Sequence, residues 1–389
     1  MTPSRKPVPP FYLDITPEER EEIKQAVDEA LISGQLVLGP QTQAFEEAFA
    51  GYIGVEHAVS TNSGTSALEI IFRARNIEGR RVAVPTNTNF ATVAAIIHAG
   101  GTPVMLDMDP DTFMPTLDML KQAREKQELA GAVWVHIGGL IAPDFEQVVE
   151  FCHEQGMFMV EDAAHAHGSS LHSAKAGALG TAGAFSFFPT KVMTTLEGGM
   201  ITTNDKQIAD LARSFRNQGK RGAVFGNDHA DMGNSWRLNE VSAAIGRVQL
   251  RKLDKMAGTR EAAARALLPT LESLGLEWCS FEHMKSFAGY KLIIRVPEDR
   301  HETVADLKQA LRDEGCIPGG GVYDKPCHLQ PVFQPWRTTD QAFPHAERWC
   351  PNHICPPITS GVTEEDVRTI KLAFERVFSR TEQPGQVGA

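Results

Sequence analysis

The chain has 389 residues, 42% hydrophobic and 22% charged, the composition of a soluble globular protein with room for two or three ordinary domains or one large α/β domain with an appendage. A formal net charge of −11 argues against a nucleic-acid partner. No apolar run is long enough to span a bilayer, and the opening Met1-Thr2-Pro3-Ser4-Arg5-Lys6 lacks a signal-peptide core, so a cytoplasmic protein without a membrane partner is expected.

Residues 14–34 read as an amphipathic helix, with Thr16 as N-cap, Pro17 at the first helical position, Glu19 completing a capping box and Gly34 just past the end. It is expected to pack on the main domain as an N-terminal arm. His57-Ala58-Val59-Ser60-Thr61 suits a strand, and an apolar helical run begins at Ala67-Leu68-Glu69. Between them, Ser63-Gly64-Thr65-Ser66 puts small residues at a helix N-terminus, where free backbone N–H groups can close on a phosphate. Apolar runs at 81–84, 103–106 and 132–135 alternate with helical patterns such as 144–155, which predicts βαβ units and a mostly parallel, doubly wound sheet.

The next run, Met157 to Asp162, predicts a buried strand ending in two carboxylates, Glu161 and Asp162. Open α/β sheets place chemistry at strand ends, and a carboxylate there can keep a pyridinium nitrogen protonated, as pyridoxal phosphate needs to act as an electron sink. Gly183-Ala184-Phe185-Ser186-Phe187-Phe188 suits a second buried strand, which Pro189-Thr190 ends, leaving Lys191 just beyond a rigid element. An amine so placed loses solvation, which lowers its pKa and improves it as a Schiff-base nucleophile. Phosphate cradle, strand-end Asp and later Lys are the three parts of a pyridoxal phosphate site.

Helical patterns at 205–216 and 238–256 flank a Gly-rich, charged stretch at 218–233. Then come a helix, strands at 276–280 and 290–296, a helix at 302–314 and a last helix from near Thr363, which read as a smaller α+β domain. The expected organisation is an N-terminal arm and helix over 1–34, a large cofactor-binding domain over 35–256, a small C-terminal domain over 257–380, and a disordered tail over 381–389. Six scattered cysteines form no C-x-x-C pair, so reduced thiols are expected and a structural zinc is not.

The chain resembles the DegT/DnrJ/EryC1/StrS family of sugar aminotransferases. The matching pieces are Ser33-Gly34 with Leu38-Gly39-Pro40, Asn62 to Leu68, Glu161-Asp162-Ala163-Ala164-His165-Ala166-His167-Gly168, Phe185 to Lys191, Glu197-Gly198-Gly199, and Tyr323 with Pro326, His328 and Gln330. They keep family order from about residue 30 to residue 360. The resemblance implies the fold-type-I pyridoxal 5'-phosphate transferase architecture and a ping-pong transamination from an amino acid, usually glutamate, to a keto-sugar or keto-cyclitol. Lys191 would form the Schiff base and move the proton, and Asp162 would pair with the pyridine nitrogen. His165 would lie against the cofactor, and Gly64, Thr65 and Ser186 would hold its phosphate. Tyr323 and His328 would line the sugar pocket. Lys220, Arg221, Arg237 and Lys325 are candidates for a sugar nucleotide's diphosphate.

Three departures matter. The family's stacking aromatic falls on Asn89, with Phe90 one residue later. The Asn that crosses the family's dimer interface to the phosphate is replaced by Ser235, within Gly233-Asn234-Ser235-Trp236-Arg237. The segment Val192 to Leu196 is more apolar than the family's usual Gly-rich loop. A homodimer with shared active sites is the implied assembly. A sugar dehydratase on the same fold is the alternative, although those enzymes carry His where this chain has Lys191, and a non-catalytic cofactor-binding regulator is another.

Overall fold

A computed structural model describes residues 6–222, 226–337 and 341–379. The chain opens with α1 (Pro17–Ser33) and α2 (Pro40–Ile53). The foreseen capping box is formed, Glu19 accepting the Thr16 N–H at 2.8 Å, and Gly34 ends α1 at φ 71°. Then follow β1 (His57–Thr61), α3 (Gly64–Ala74), β2 (Arg81–Pro85), α4 (Phe90–His98), β3 (Thr102–Leu106), α5 (Leu117–Lys126), β4 (Gly131–Val135), α6 (Phe145–Glu154), β5 (Phe158–Asp162), β6 (Ala182–Ser186), β7 (Gly199–Thr203) and α7 (Lys206–Phe215).

Seven strands form one sheet in the order β1-β7-β6-β5-β4-β2-β3. Strands β2 to β6 are parallel, and β7, absent from the sequence expectation, runs antiparallel to both β1 and β6. Because β7 reverses twice, β1 shares the direction of the parallel strands. The carboxyl ends of β1, β2, β5 and β6 therefore meet the amino end of β7 at one edge of the sheet, where doubly wound folds hold ligands. Helix α2 fixes the neighbouring layer through Phe45 and Phe49, whose rings pack on Phe185 and Phe187 of the β6 segment with centroids 5.0–5.6 Å apart.

The helix expected over 238–256 is instead two, α8 (Glu240–Leu250) and α9 (Leu253–Ser273), broken at Arg251 and Lys252. Lys252 leaves helical geometry at φ −116°, and its ammonium bonds Glu19 at 2.7 Å, tying the arm to the break. Position 256 thus lies inside α9, which runs past the expected domain boundary. A separate antiparallel sheet, β10-β9-β8, is built from β8 (Glu277–Trp278), β9 (Ile294–Arg295) and β10 (His353–Ile354), so the strands foreseen at 276–280 and 290–296 shrink to two-residue ladders. Helices α10 (Val304–Asp313), α11 (Pro344–Trp349) and α12 (Glu364–Phe378) complete this part. The tail expected over 381–389 lies outside the described residues.

Candidate active site

At the common strand edge a cavity of about 290 Å³ is lined by Gly64, Thr65, Asp162, His165, Ser186 and Lys191, with Asn89, Glu197 and Tyr323. Its residues come from the strand-end segments of the large sheet and from Tyr323 of the C-terminal part.

Helix α3 begins with Ser63 as N-cap, whose Oγ accepts the Ser66 N–H at 3.1 Å. The N–H groups of Gly64 and Thr65, in the first turn, have no partner within the helix, and both residues line the cavity. Gly64 is glycine because a Cβ would sit 2.8 Å from that of Ser186. Gly199 is glycine because a Cβ would overlap the Ser63 carbonyl and lie 2.7 Å from the Gly64 nitrogen. The Glu197-Gly198-Gly199 motif thus lets β7 back directly onto the α3 turn.

Along β5 the pleat sends Glu161 and Asp162 to opposite faces. Glu161 is fully buried and accepts from the backbone N–H groups of Gly177, Leu179 and Gly180 at 2.7–2.8 Å, with His136 at 2.8 Å. It is the structural carboxylate. Asp162 faces the cavity, accepting from Thr92 Oγ1 at 2.7 Å and Ala164 N at 3.2 Å. Burial pushes its carboxyl above the ordinary carboxylate range, against those hydrogen bonds and the charge of Lys191, which pull it down.

Lys191 follows β6 through a turn closed by its own N–H on the Phe188 carbonyl at 3.0 Å. Desolvation lowers its pKa to about 8, a shift the Asp162 charge opposes. Its ammonium lies 5.1 Å from the centroid of the Tyr290 ring. The apolar segment after it is an anchor: Val192 and Met193 are buried, and Thr194 Oγ1 donates to the Phe187 carbonyl at 2.8 Å.

The His165 ring stacks on Tyr290 with centroids 4.2 Å apart. Its Nδ1 accepts the Gly138 N–H at 3.3 Å, so the proton sits on Nε2, 3.1 Å from Tyr323 Oη. Burial, then the charges of Lys191 and Lys291, keep this ring neutral far below the usual histidine pKa. Tyr323 holds its position at φ 67°, a left-handed backbone that a non-glycine residue rarely adopts, and burial drives its phenol well upward. His167 lies behind the cavity, its ring 5.3 Å from Phe185 and 5.7 Å from Phe187, and burial lowers it to about 3.

Several expected site residues stand elsewhere. Of the pair at the stacking position, Asn89 lines the cavity as the N-cap of α4, while Phe90 turns outward, 53% exposed, and stacks on Phe333 at 5.4 Å. His328 is not a pocket residue in this chain. It is fully buried, stacked on Phe343 at 4.1 Å, with Nδ1 on Thr86 Oγ1 at 2.6 Å and Nε2 on Glu347 at 3.0 Å, so both ring nitrogens are spent on packing the small sheet's surroundings against β2. Lys220, Arg221, Ser235 and Arg237 lie on the 217–237 segment outside the cavity. Arg237 donates to Ser235 Oγ at 2.6 Å and Asn217 at 3.0 Å, and Arg221 forms a bidentate pair with Asp231 at 2.7 and 2.8 Å. Lys220 and Arg221 border a separate groove of about 800 Å³ between α2 and α7.

Nothing in the sequence marks Tyr290, which stacks on His165, or Thr92, which bonds Asp162, as part of the site, and Glu197 in the lining is visible only within its motif. Tyr290 sits in an apolar stretch, Ala288 to Ile294, whose reading as a strand hid it.

Such a cavity, with an amine of lowered pKa, a buried carboxylate and a helix N-terminus on a seven-stranded, mostly parallel sheet, defines a pyridoxal-phosphate-dependent transferase of fold type I. The Gly64 and Gly199 clearances, which keep the α3 turn open beside Ser186, fit the cofactor's phosphate. The chain belongs to the DegT/DnrJ/EryC1/StrS aminotransferase family, whose sequence profile matches residues 17–375, and it is an aminotransferase whose cofactor is pyridoxal 5'-phosphate. It is 32% identical over 371 residues to a GDP-perosamine synthase from Caulobacter vibrioides, covering 92% of this chain and 95% of that protein. DesV of S. venezuelae, solved in complex with a ketimine intermediate, superposes with a TM-score of 0.89 at 29% identity, over 97% of this chain and 100% of that one. The PLP form of Spr1654, a putative sugar aminotransferase from Streptococcus pneumoniae, gives 0.86 at 26% identity, over 96% and 99%.

Proposed function

We propose that this aminotransferase takes its amino group from L-glutamate and delivers it to the carbonyl of a nucleotide-linked keto-sugar in amino-sugar biosynthesis, acting as a cytoplasmic homodimer. The observation that carries the reading is the meeting of Lys191, Asp162 and the α3 N-terminus around one cavity. The Gly64 and Thr65 N–H groups and the Ser186 hydroxyl would hold the cofactor's phosphate, aided by the helix dipole. Asp162, oriented by Thr92 and Ala164, would be the carboxylate that keeps the pyridine nitrogen protonated. When bound, the cofactor supplies a ring that withdraws the electron pair left at the substrate carbon. Lys191 Nζ, with a pKa of about 8, takes the proton from the donor's α-carbon and returns one, a task suited to an amine that titrates near neutrality. His165, neutral and hydrogen-bonded to Tyr323, gives the cavity an uncharged wall.

The sugar acceptor is supported by the names of the relatives, among them a GDP-perosamine synthase. The dimer is supported by exposed apolar side chains, Phe188 of the cavity lining, Leu196 and Met232, the last 85% exposed. In that assembly Ser235, Arg237, Lys220 and Arg221 serve the second protomer's site, the cations meeting the diphosphate of the acceptor. The cytoplasmic setting is supported by six cysteines that are all free and buried; among the described residues no helix is long and apolar enough to cross a membrane.

The test is the absorption spectrum of the purified protein with pyridoxal phosphate, before and after L-glutamate, beside Lys191→Ala. The expected result is a visible band that glutamate bleaches in the wild type and that the variant never forms. A band indifferent to glutamate would refute the donor assignment.

A further inference from the structure

Two lysines, not one, lie near the ring of Tyr290, which backs the cavity residue His165. Lys291 holds its ammonium 5.4 Å from the centroid of Tyr290, the ring over which Lys191 lies at 5.1 Å and on which His165 stacks. The backbone of Lys291 is pinned by its N–H on the Gly138 carbonyl at 2.9 Å. Room for its side chain comes from Gly319, where a Cβ would overlap Nζ. Among the described residues Lys291 has no carboxylate within ion-pair distance, whereas Arg216 is paired with Glu46 and Lys252 with Glu19. Arg260, the other cation near Tyr290, is committed to the carbonyls of Gly289 and Ile358. Lys308 is paired with Asp324 at 3.6 Å.

The charges around the cavity make this cation chemically useful. Its lining carries two carboxylates, Asp162 and Glu197, and one amine, Lys191. An amino donor brings a carboxylate one bond from the carbon that must react beside Lys191. Once the Lys191 amine is engaged by the cofactor, no cation of the lining offsets that carboxylate, and leaving a charge unpaired in a site shielded from water is costly.

We infer that Lys291 is the carboxylate-binding residue for the amino donor, reaching past the Tyr290 ring to hold it while Lys191 works on the adjacent carbon. The inference rests on the aminotransferase reading given above and adds a specificity residue to it. Lys291 would also favour the keto-acid product, which carries the same group.

The test is calorimetric titration of the cofactor-loaded protein with 2-oxoglutarate, in wild type, Lys291→Gln and Lys291→Arg, with the visible absorption band recorded for each. Loss of one charge-assisted hydrogen bond predicts that Lys291→Gln weakens 2-oxoglutarate on the order of tenfold to a hundredfold. The band should be retained, and Lys291→Arg should bind more tightly than Lys291→Gln. A dissociation constant within twofold of wild type overturns the inference. So does loss of the band in Lys291→Gln, which would put the lysine in the cofactor's site. Weakened binding of a nucleoside diphosphate with unchanged 2-oxoglutarate binding also overturns it, by assigning the cation to the acceptor. If Lys291→Gln does not fold, Gly319→Ala, which displaces the ammonium and keeps its charge, is expected to weaken 2-oxoglutarate several-fold, and no change refutes the idea. A wild type that neither forms the band nor binds 2-oxoglutarate would instead overturn the underlying reading.

Discussion

In the cofactor-free protein, Lys191 titrates at about 8 because burial costs the ammonium its hydration, where an ordinary lysine stands at 10.5. At pH 7 an amine of pKa about 8 is roughly 9% neutral, against roughly 0.03% at the ordinary value, so the nucleophilic form is enriched about 300-fold. The assay mixes cofactor-free protein with pyridoxal phosphate between pH 6.5 and 9.5 and follows the visible band, each rate referenced to a small-molecule amine under the same conditions. The referenced rate should hold steady up to about pH 8 and fall above it, because the protein's amine is by then largely neutral while the reference amine goes on losing its proton. Asp162 opposes the shift through its negative charge, so Asp162→Asn should move the midpoint lower still. A midpoint near 10 would mean a solvated amine, and the account of Lys191 as a desolvated nucleophile would fail.

Other consequences follow from the packing. Gly199→Ala drives a Cβ into the backbone of Ser63 and Gly64, which cannot yield as a side chain would; titration of the visible band should show cofactor affinity reduced on the order of tenfold or more. Glu161→Ala strands three backbone N–H groups and His136 in the interior and should cost about 3–5 kcal/mol in urea unfolding, a loss below 1 kcal/mol contradicting the structural role. Sedimentation of the wild type should give a dimer and Met232→Asp should shift it toward monomer with falling activity; a fully active wild-type monomer excludes shared sites.

Much of this was legible in local chemistry. The capping signal at Thr16 marks a helix start that the structure forms with a full capping box, a device repeated at Thr303 and Thr363. The apolar runs ending at Asp162 and before Lys191 likewise emerge as β5 and β6, side by side in parallel. What stayed hidden depends on partners distant in sequence. Glu161 and Asp162 are equivalent as letters, and only the burial of the loop at 177–180 against one face separates a structural carboxylate from the one in the cavity. His328 matches a family position, yet Thr86 and Glu347 claim both its nitrogens. The continuous helical periodicity of 238–256 concealed a break set by the pull of Glu19 and Asp14 on Lys252. Tyr290 and Lys291 carried no motif, because their relation to His165 and Lys191 exists only once their segment packs against Gly138 and His165.

The central claim is that Lys191 is the one lysine that bonds the cofactor, and borohydride tests it most directly. Reduction of the cofactor-loaded protein, digestion and peptide mass analysis should find a single pyridoxyl group, on Lys191, and none on its neighbour Lys291. A pyridoxyl group on Lys291, or on no lysine at all, would contradict the account.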